Sequence, residues 1–117
     1  MPPVRVAHRT DENWRPIFVF LSYLSEMKAV KAVVSGDVLG VGFRQATRSQ
    51  ARGLGLWGWV RNEYRHGTVE VWLQGPDGAV DAMVDWLWHG PSGATVVGVE
   101  SEVVASDHLL SNFVIRQ

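Results

Sequence analysis

From residue 28 onward, apolar and polar positions settle into two regular periods that take turns along the chain. Residues 28–35 (KAVKAVVS) alternate, with Ala29, Lys31, Val33 and Ser35 on one side and Val30, Ala32 and Val34 on the other, as in a strand. From Phe43 the period lengthens to that of a helix. Phe43, Ala46, Thr47, Ala51 and Leu54 share one face, Arg48 and Arg52 project elsewhere, and Gly53 and Gly55 supply the stop. Residues 56–62 (LWGWVRN) read as a second strand, 63–67 as a turn and 68–74 (TVEVWLQ) as a third strand, which together predict a hairpin. In the third strand Val69, Val71 and Leu73 alternate against Glu70, Trp72 and Gln74. The helical period returns with Val80, Met83, Val84 and Leu87 after a start at Pro76 to Gly78, and His89 and Gly90 end it. Asp77, Asp81 and Asp85 mark its wet face, a solvated stripe rather than a catalytic carboxylate pair. Residues 95–104 form a fourth strand and 113–116 a short fifth.

The order βαββαβ predicts an α+β fold of the ferredoxin-like type, an α/β sandwich. Right-handed crossovers place both helices on one face of a mainly antiparallel sheet and leave the other face partly to solvent. The first part of the chain has no settled period. It carries Pro2, Pro3 and Pro16, a polar arm and one apolar knot, IFVFLSYL, at residues 17–24. Residues 1–26 therefore read as an N-terminal extension, whether a mobile arm, an added element or an upstream extension of the reading frame, ahead of a single domain at 27–117.

Composition narrows the function classes. At 117 residues the chain is about one domain long, enough for one hydrophobic core. Eleven Lys and Arg stand against twelve Asp and Glu, so no long-range field recruits nucleic acid or an anionic membrane. The absence of cysteine excludes a disulfide scaffold, a thiol nucleophile and thiolate metal sites. The apolar knot is far too short to span about 30 Å of hydrocarbon, and Asp11, Glu12 and Pro16 lie where a signal peptide would not have them. A cytoplasmic protein with no membrane partner is expected. His8, His66, His89 and His108 show no ligand spacing, so no metal site is expected.

Between the first strand and the first helix lies SGDVLGVGFRQ, with Gly36, Gly40 and Gly42 crowded together ahead of Phe43 and Arg44. A glycine-rich loop leading into a helix can turn several backbone N–H groups toward one point, and the first helical amides add partial positive charge there. Arg44, in the first turn, can clamp two oxygens of the same anion. The expected product is a phosphate-sized cradle. It is neither a dinucleotide fingerprint nor a Walker loop, since the terminal Lys-Ser/Thr and a parallel sheet are both missing.

This loop resembles the signature of the acylphosphatases, G-x-V-Q-G-V-G-F-R, here Gly36-Asp37-Val38-Leu39-Gly40-Val41-Gly42-Phe43-Arg44. The family's second motif, G-W-V-x-N, is matched by Gly58-Trp59-Val60-Arg61-Asn62. Its G-P-x-x-A-x-V segment is matched by residues 90–96, and its closing F-x-I-R by Phe113-Val114-Ile115-Arg116. The likeness covers roughly residues 28 to 117. It implies a hydrolase of acyl phosphates in which Gly36, Val38, Leu39, Gly40, Val41, Gly42, Phe43 and Arg44 hold the phosphate. Arg44 and Asn62 are then the catalytic pair, Asn62 orienting the attacking water. Leu39 stands where the family usually has Gln, and Asp37 occupies a position at which the family varies.

The chemistry agrees with so spare a set of residues. An acyl phosphate releases a carboxylate, whose pKa of about 4 to 5 removes the need for a general acid. No metal or other cofactor is needed for the leaving group. What remains is to bring water in line with phosphorus and to spread charge over the equatorial oxygens. The expected partner is a small acyl phosphate met by a monomer. Two other readings stay open: a non-catalytic module binding phosphate or carbamoyl phosphate, like the acylphosphatase-like domain of hydrogenase maturation factors, and a ferredoxin-like interaction domain. Against nucleic-acid binding stand the near-neutral charge and the tryptophans, since Trp57, Trp59, Trp72, Trp86 and Trp88 are expected in core or helix packing.

Overall fold

A computed structural model describes residues 26–117. The apolar knot at residues 17–24, His8 and all of the expected extension except Glu26 lie outside the described residues. The elements are β1 (Met27–Asp37), α1 (Phe43–Gly53), β2 (Trp57–Glu63), β3 (Thr68–Pro76), α2 (Asp77–His89), β4 (Thr95–Val104) and β5 (Phe113–Ile115). The strands form one sheet in the order β4-β1-β3-β2-β5, antiparallel throughout except for the parallel pair β2 and β5. This is the ferredoxin-like α+β arrangement predicted from the period changes. Among the described residues no helix is long and apolar enough to cross a membrane.

The core follows from the two periods meeting on one sheet face. Val30, Ala32 and Val34 of β1, Val60 of β2, Val69, Val71 and Leu73 of β3, and Phe113 of β5 are buried on that face. Phe43 and Ala51 of α1 and Val80, Met83 and Leu87 of α2 complete the same cluster. Successive strand residues point to opposite faces, so the positions between these belong to the other side of the sheet.

There the structure departs from the expectation for three tryptophans. Trp57, Trp59 and Trp72 alternate with core positions and therefore stand on the face away from the helices. Trp59 stacks on its cross-strand partner Trp72, with ring centroids 6.2 Å apart and planes 26° from parallel. The guanidiniums of Arg61 and Arg116 lie 5.4 and 4.9 Å from the Trp59 ring centre. Trp59 is thus buried by aromatic and cationic neighbours rather than by a helix. Trp86 does pack with the core, 6.1 Å from Phe43, whereas Trp88 is 49% exposed.

Two features of the β1 end position the loop that follows. The β1–β4 register shifts at Ser35/Gly36, a bulge that lets β1 bend as it leaves the sheet. Gly36 has φ 128°, and a Cβ there would lie 2.2 Å from the Thr95 carbonyl oxygen. The two backbones can approach this closely only because no side chain stands between them.

Candidate functional site

Between β1 and α1 the chain makes a run of bends at residues 39–42 and enters α1 through Gly42. Gly42 holds the left-handed conformation (φ 76°, ψ 20°) and offers no side-chain cap. The Ala46 N–H donates to the Gly42 carbonyl at 3.0 Å, the first bond of the helical ladder. The amides of Phe43, Arg44 and Gln45 precede that ladder and stand at the positive end of the helix. No acidic side chain in the first turn offsets them.

A cavity of about 360 Å³ opens at this point. The loop contributes Val38, Gly40 and Gly42 to its wall, and α1 contributes Phe43, Arg44 and Gln45. Asn62, near the end of β2, closes a further side, and Ile115 and Gln117 close the last from the C-terminal end of the chain. The hairpin and the parallel β2–β5 pairing bring Asn62 and Ile115 to the same end of the sheet as the loop. Arg44 is half-buried and is in no ion pair among the described residues, whereas Arg61 is held by Glu70 at 2.7 Å. Asn62 is also half-buried, and its Nδ2 donates to the Tyr64 hydroxyl at 3.0 Å.

The residues expected to hold phosphate separate into two groups. Val38, Gly40, Gly42, Phe43 and Arg44 line the cavity together with Asn62. Leu39 and Val41 turn their side chains to the core cluster and support the loop from beneath. Gly36 lies back in the β1–β4 ladder, opposite Val96, where its backbone approach is needed by the sheet. Asp37 is exposed at the end of β1, paired with Thr95. The site residues that sequence reasoning passed over are Gln45, Ile115 and Gln117. The closing F-x-I-R match carried the signal for Ile115, but only the parallel β2–β5 pairing brings it beside the loop.

The loop is also braced from behind. Gly90 ends α2 with φ 64°, and a Cβ there would meet Phe43 Cε2 at 2.7 Å, so the Phe43 ring lies directly against the Gly90 backbone. At Gly93 the fit is looser, since a Cβ there would be in ordinary contact with Val41 Cβ at 3.7 Å. The segment after α2 thus lies against Val41 of the loop and Phe43 of α1, and Phe43 is both cavity wall and 2% exposed core.

The acylphosphatase family model matches residues 30–115. The chain belongs to the acylphosphatase family. An acylphosphatase of Mesorhizobium japonicum is 57% identical over 77 residues, a match that covers 66% of this chain and 81% of that protein. Among solved structures, an acylphosphatase from Coxiella burnetii superposes with a TM-score of 0.74 at 36% identity, covering 79% of this chain and 95% of that one. A full-length HypF in the phosphate- and nucleotide-bound form shares the fold, with a TM-score of 0.68 at 21% identity. The match takes in only 12% of the HypF chain. In family terms the glycine loop and the G-W-V-x-N strand end are the two motifs that meet across the cavity.

Proposed function

We propose that this acylphosphatase-family protein hydrolyses the carboxyl–phosphate bond of acyl phosphates, yielding a carboxylate and inorganic phosphate without a metal ion. The observation that carries the reading is that Arg44, from the first turn of α1, and Asn62, from β2, line one cavity with the uncapped start of the helix. The amides and the Arg44 guanidinium hold the phosphoryl oxygens and stabilise the charge that spreads over them as the bond to the acyl oxygen breaks. Asn62 orients a water in line with phosphorus. The water oxygen bonds to phosphorus, the bonding pair leaves with the carboxylate, and the water's proton passes to a phosphoryl oxygen, since Asn62 is no base.

The same reading assigns the phosphate cradle to the backbone of Val38, Leu39, Gly40, Val41, Gly42 and Phe43 together with Arg44, with the Leu39 and Val41 side chains as its supports and Gly36 shaping the strand from which it departs. It makes residues 27–117 the catalytic unit, acting as a monomer in the cytoplasm. A non-catalytic phosphate- or carbamoyl-phosphate-binding role is less favoured, because both Arg44 and Asn62 are present at the cavity.

The test is hydrolysis of benzoyl phosphate in the presence of a chelator. The wild-type chain should retain its rate. Asn62→Ala should lower kcat by roughly a hundredfold or more, the scale of losing one group that serves the transition state, while inorganic phosphate still inhibits normally. Arg44→Ala should weaken both turnover and phosphate inhibition. Absence of hydrolysis, or full activity in either variant, refutes the assignment.

A further inference from the structure

We infer that Tyr64 is a positioning residue for the reaction: its hydroxyl fixes which way the Asn62 amide faces the cavity. The inference rests on the reading of Asn62 as the group that orients water. An asparagine amide has two unlike arms, an oxygen that only accepts and a nitrogen that only donates. A water about to attack phosphorus must keep a lone pair free for the phosphorus, so it has to donate its protons to its surroundings. The arm that serves it is therefore Oδ1. An amide turned the other way would present Nδ2–H, which can accept neither of the water's protons.

In this chain one arm of the amide is taken up at the hairpin turn. Asn62 Nδ2 donates to Tyr64 Oη at 3.0 Å. Asn62 lines the cavity and Tyr64 does not. The nitrogen arm is thus drawn toward the turn, and the oxygen arm is left to the cavity. The turn itself is held: the Arg65 N–H donates to the Glu63 carboxylate at 2.8 Å, and Gly67 takes φ 69° to close it. Tyr64 is 71% exposed, so its ring adds nothing to the core. Its hydroxyl is the part the fold uses.

Tyr64→Phe removes only that hydroxyl. With benzoyl phosphate as substrate, kcat should fall about two- to tenfold, the worth of a single neutral hydrogen bond. KM, inhibition by inorganic phosphate and Tm should stay unchanged. In an Asn62→Ala background the same substitution should have no further effect on kcat. An unchanged kcat, a parallel change in phosphate inhibition, or an equal loss in the Asn62→Ala background overturns the role of Tyr64. If Asn62→Ala itself retains full activity, the reading of Asn62 fails and the inference fails with it. If Asn62→Ala is impaired and Tyr64→Phe is not, only the inference fails.

Discussion

Gly36 and Gly40 belong to one short motif, yet replacing each by alanine should damage different properties. At Gly36, φ is 128°, and the new Cβ would stand 2.2 Å from Thr95 O and 2.8 Å from Val97 N. An ordinary carbon–oxygen approach is roughly 3.3 Å, and both obstructing atoms are backbone within the β1–β4 ladder. Backbone strain of about 1–3 kcal/mol and forced repacking of about 1–3 kcal/mol give a destabilisation of roughly 2–6 kcal/mol. Against a total stability of about 5–15 kcal/mol, Gly36→Ala should lower Tm by tens of degrees or prevent folding. At Gly40, φ is 74° and no atom lies within 4 Å of the new Cβ. The cost is only that of holding alanine in the left-handed region, about 1–2 kcal/mol. An exposed loop can relax, so this cost should fall mainly on the bound state, weakening phosphate inhibition by roughly five- to thirtyfold. Thermal unfolding followed by circular dichroism, and the inhibition constant of inorganic phosphate against benzoyl phosphate hydrolysis, separate the two effects. A Gly36→Ala protein with native Tm and lost phosphate inhibition would place Gly36 in the cradle and refute the division. Undiminished phosphate inhibition in Gly40→Ala would show that the loop's left-handed turn is not what binds.

Three further outcomes are expected. Thr47 is fully buried in α1, and its Oγ1 has no hydrogen-bond partner among the described residues. Thr47→Val should stabilise the protein by about 1 kcal/mol or more, read as a Tm rise of about 4–8 °C, and a lower Tm would contradict the orphaned hydroxyl. Gly90→Ala would push the Phe43 ring aside from 2.7 Å; a loss of about 1–3 kcal/mol in stability should come with weaker phosphate inhibition, and a change in neither would show that the brace is idle. Arg44→Lys keeps the charge but loses the planar fork, so phosphate inhibition should weaken about tenfold at unchanged Tm; equal inhibition would mean that a point charge suffices.

The periods of 2 and 3.6 were legible from residue 28 onward because one sheet face and one stripe of each helix share a single core. Element boundaries followed to within a residue or two: residues 95–104 were read as a strand and form β4. The pairing of Arg44 with Asn62 was legible only through the motifs, since the two lie eighteen positions apart and nothing local joins them. Local pattern and residue type were enough to establish the set of elements, their order, the family likeness and the amino acids available for the chemistry. Tertiary structure alone decided which glycine does what. Gly36 is required by the approach of β4, Gly40 and Gly42 by the turn around the cavity, and Gly90 by the Phe43 ring. It likewise placed Trp59 and Trp72 on the face away from the helices, brought Ile115 and Gln117 to the cavity, and joined Tyr64 to Asn62. A glycine or an amide carries no mark of its neighbour in the sequence; its role depends on which atoms the fold brings within a few ångströms of it.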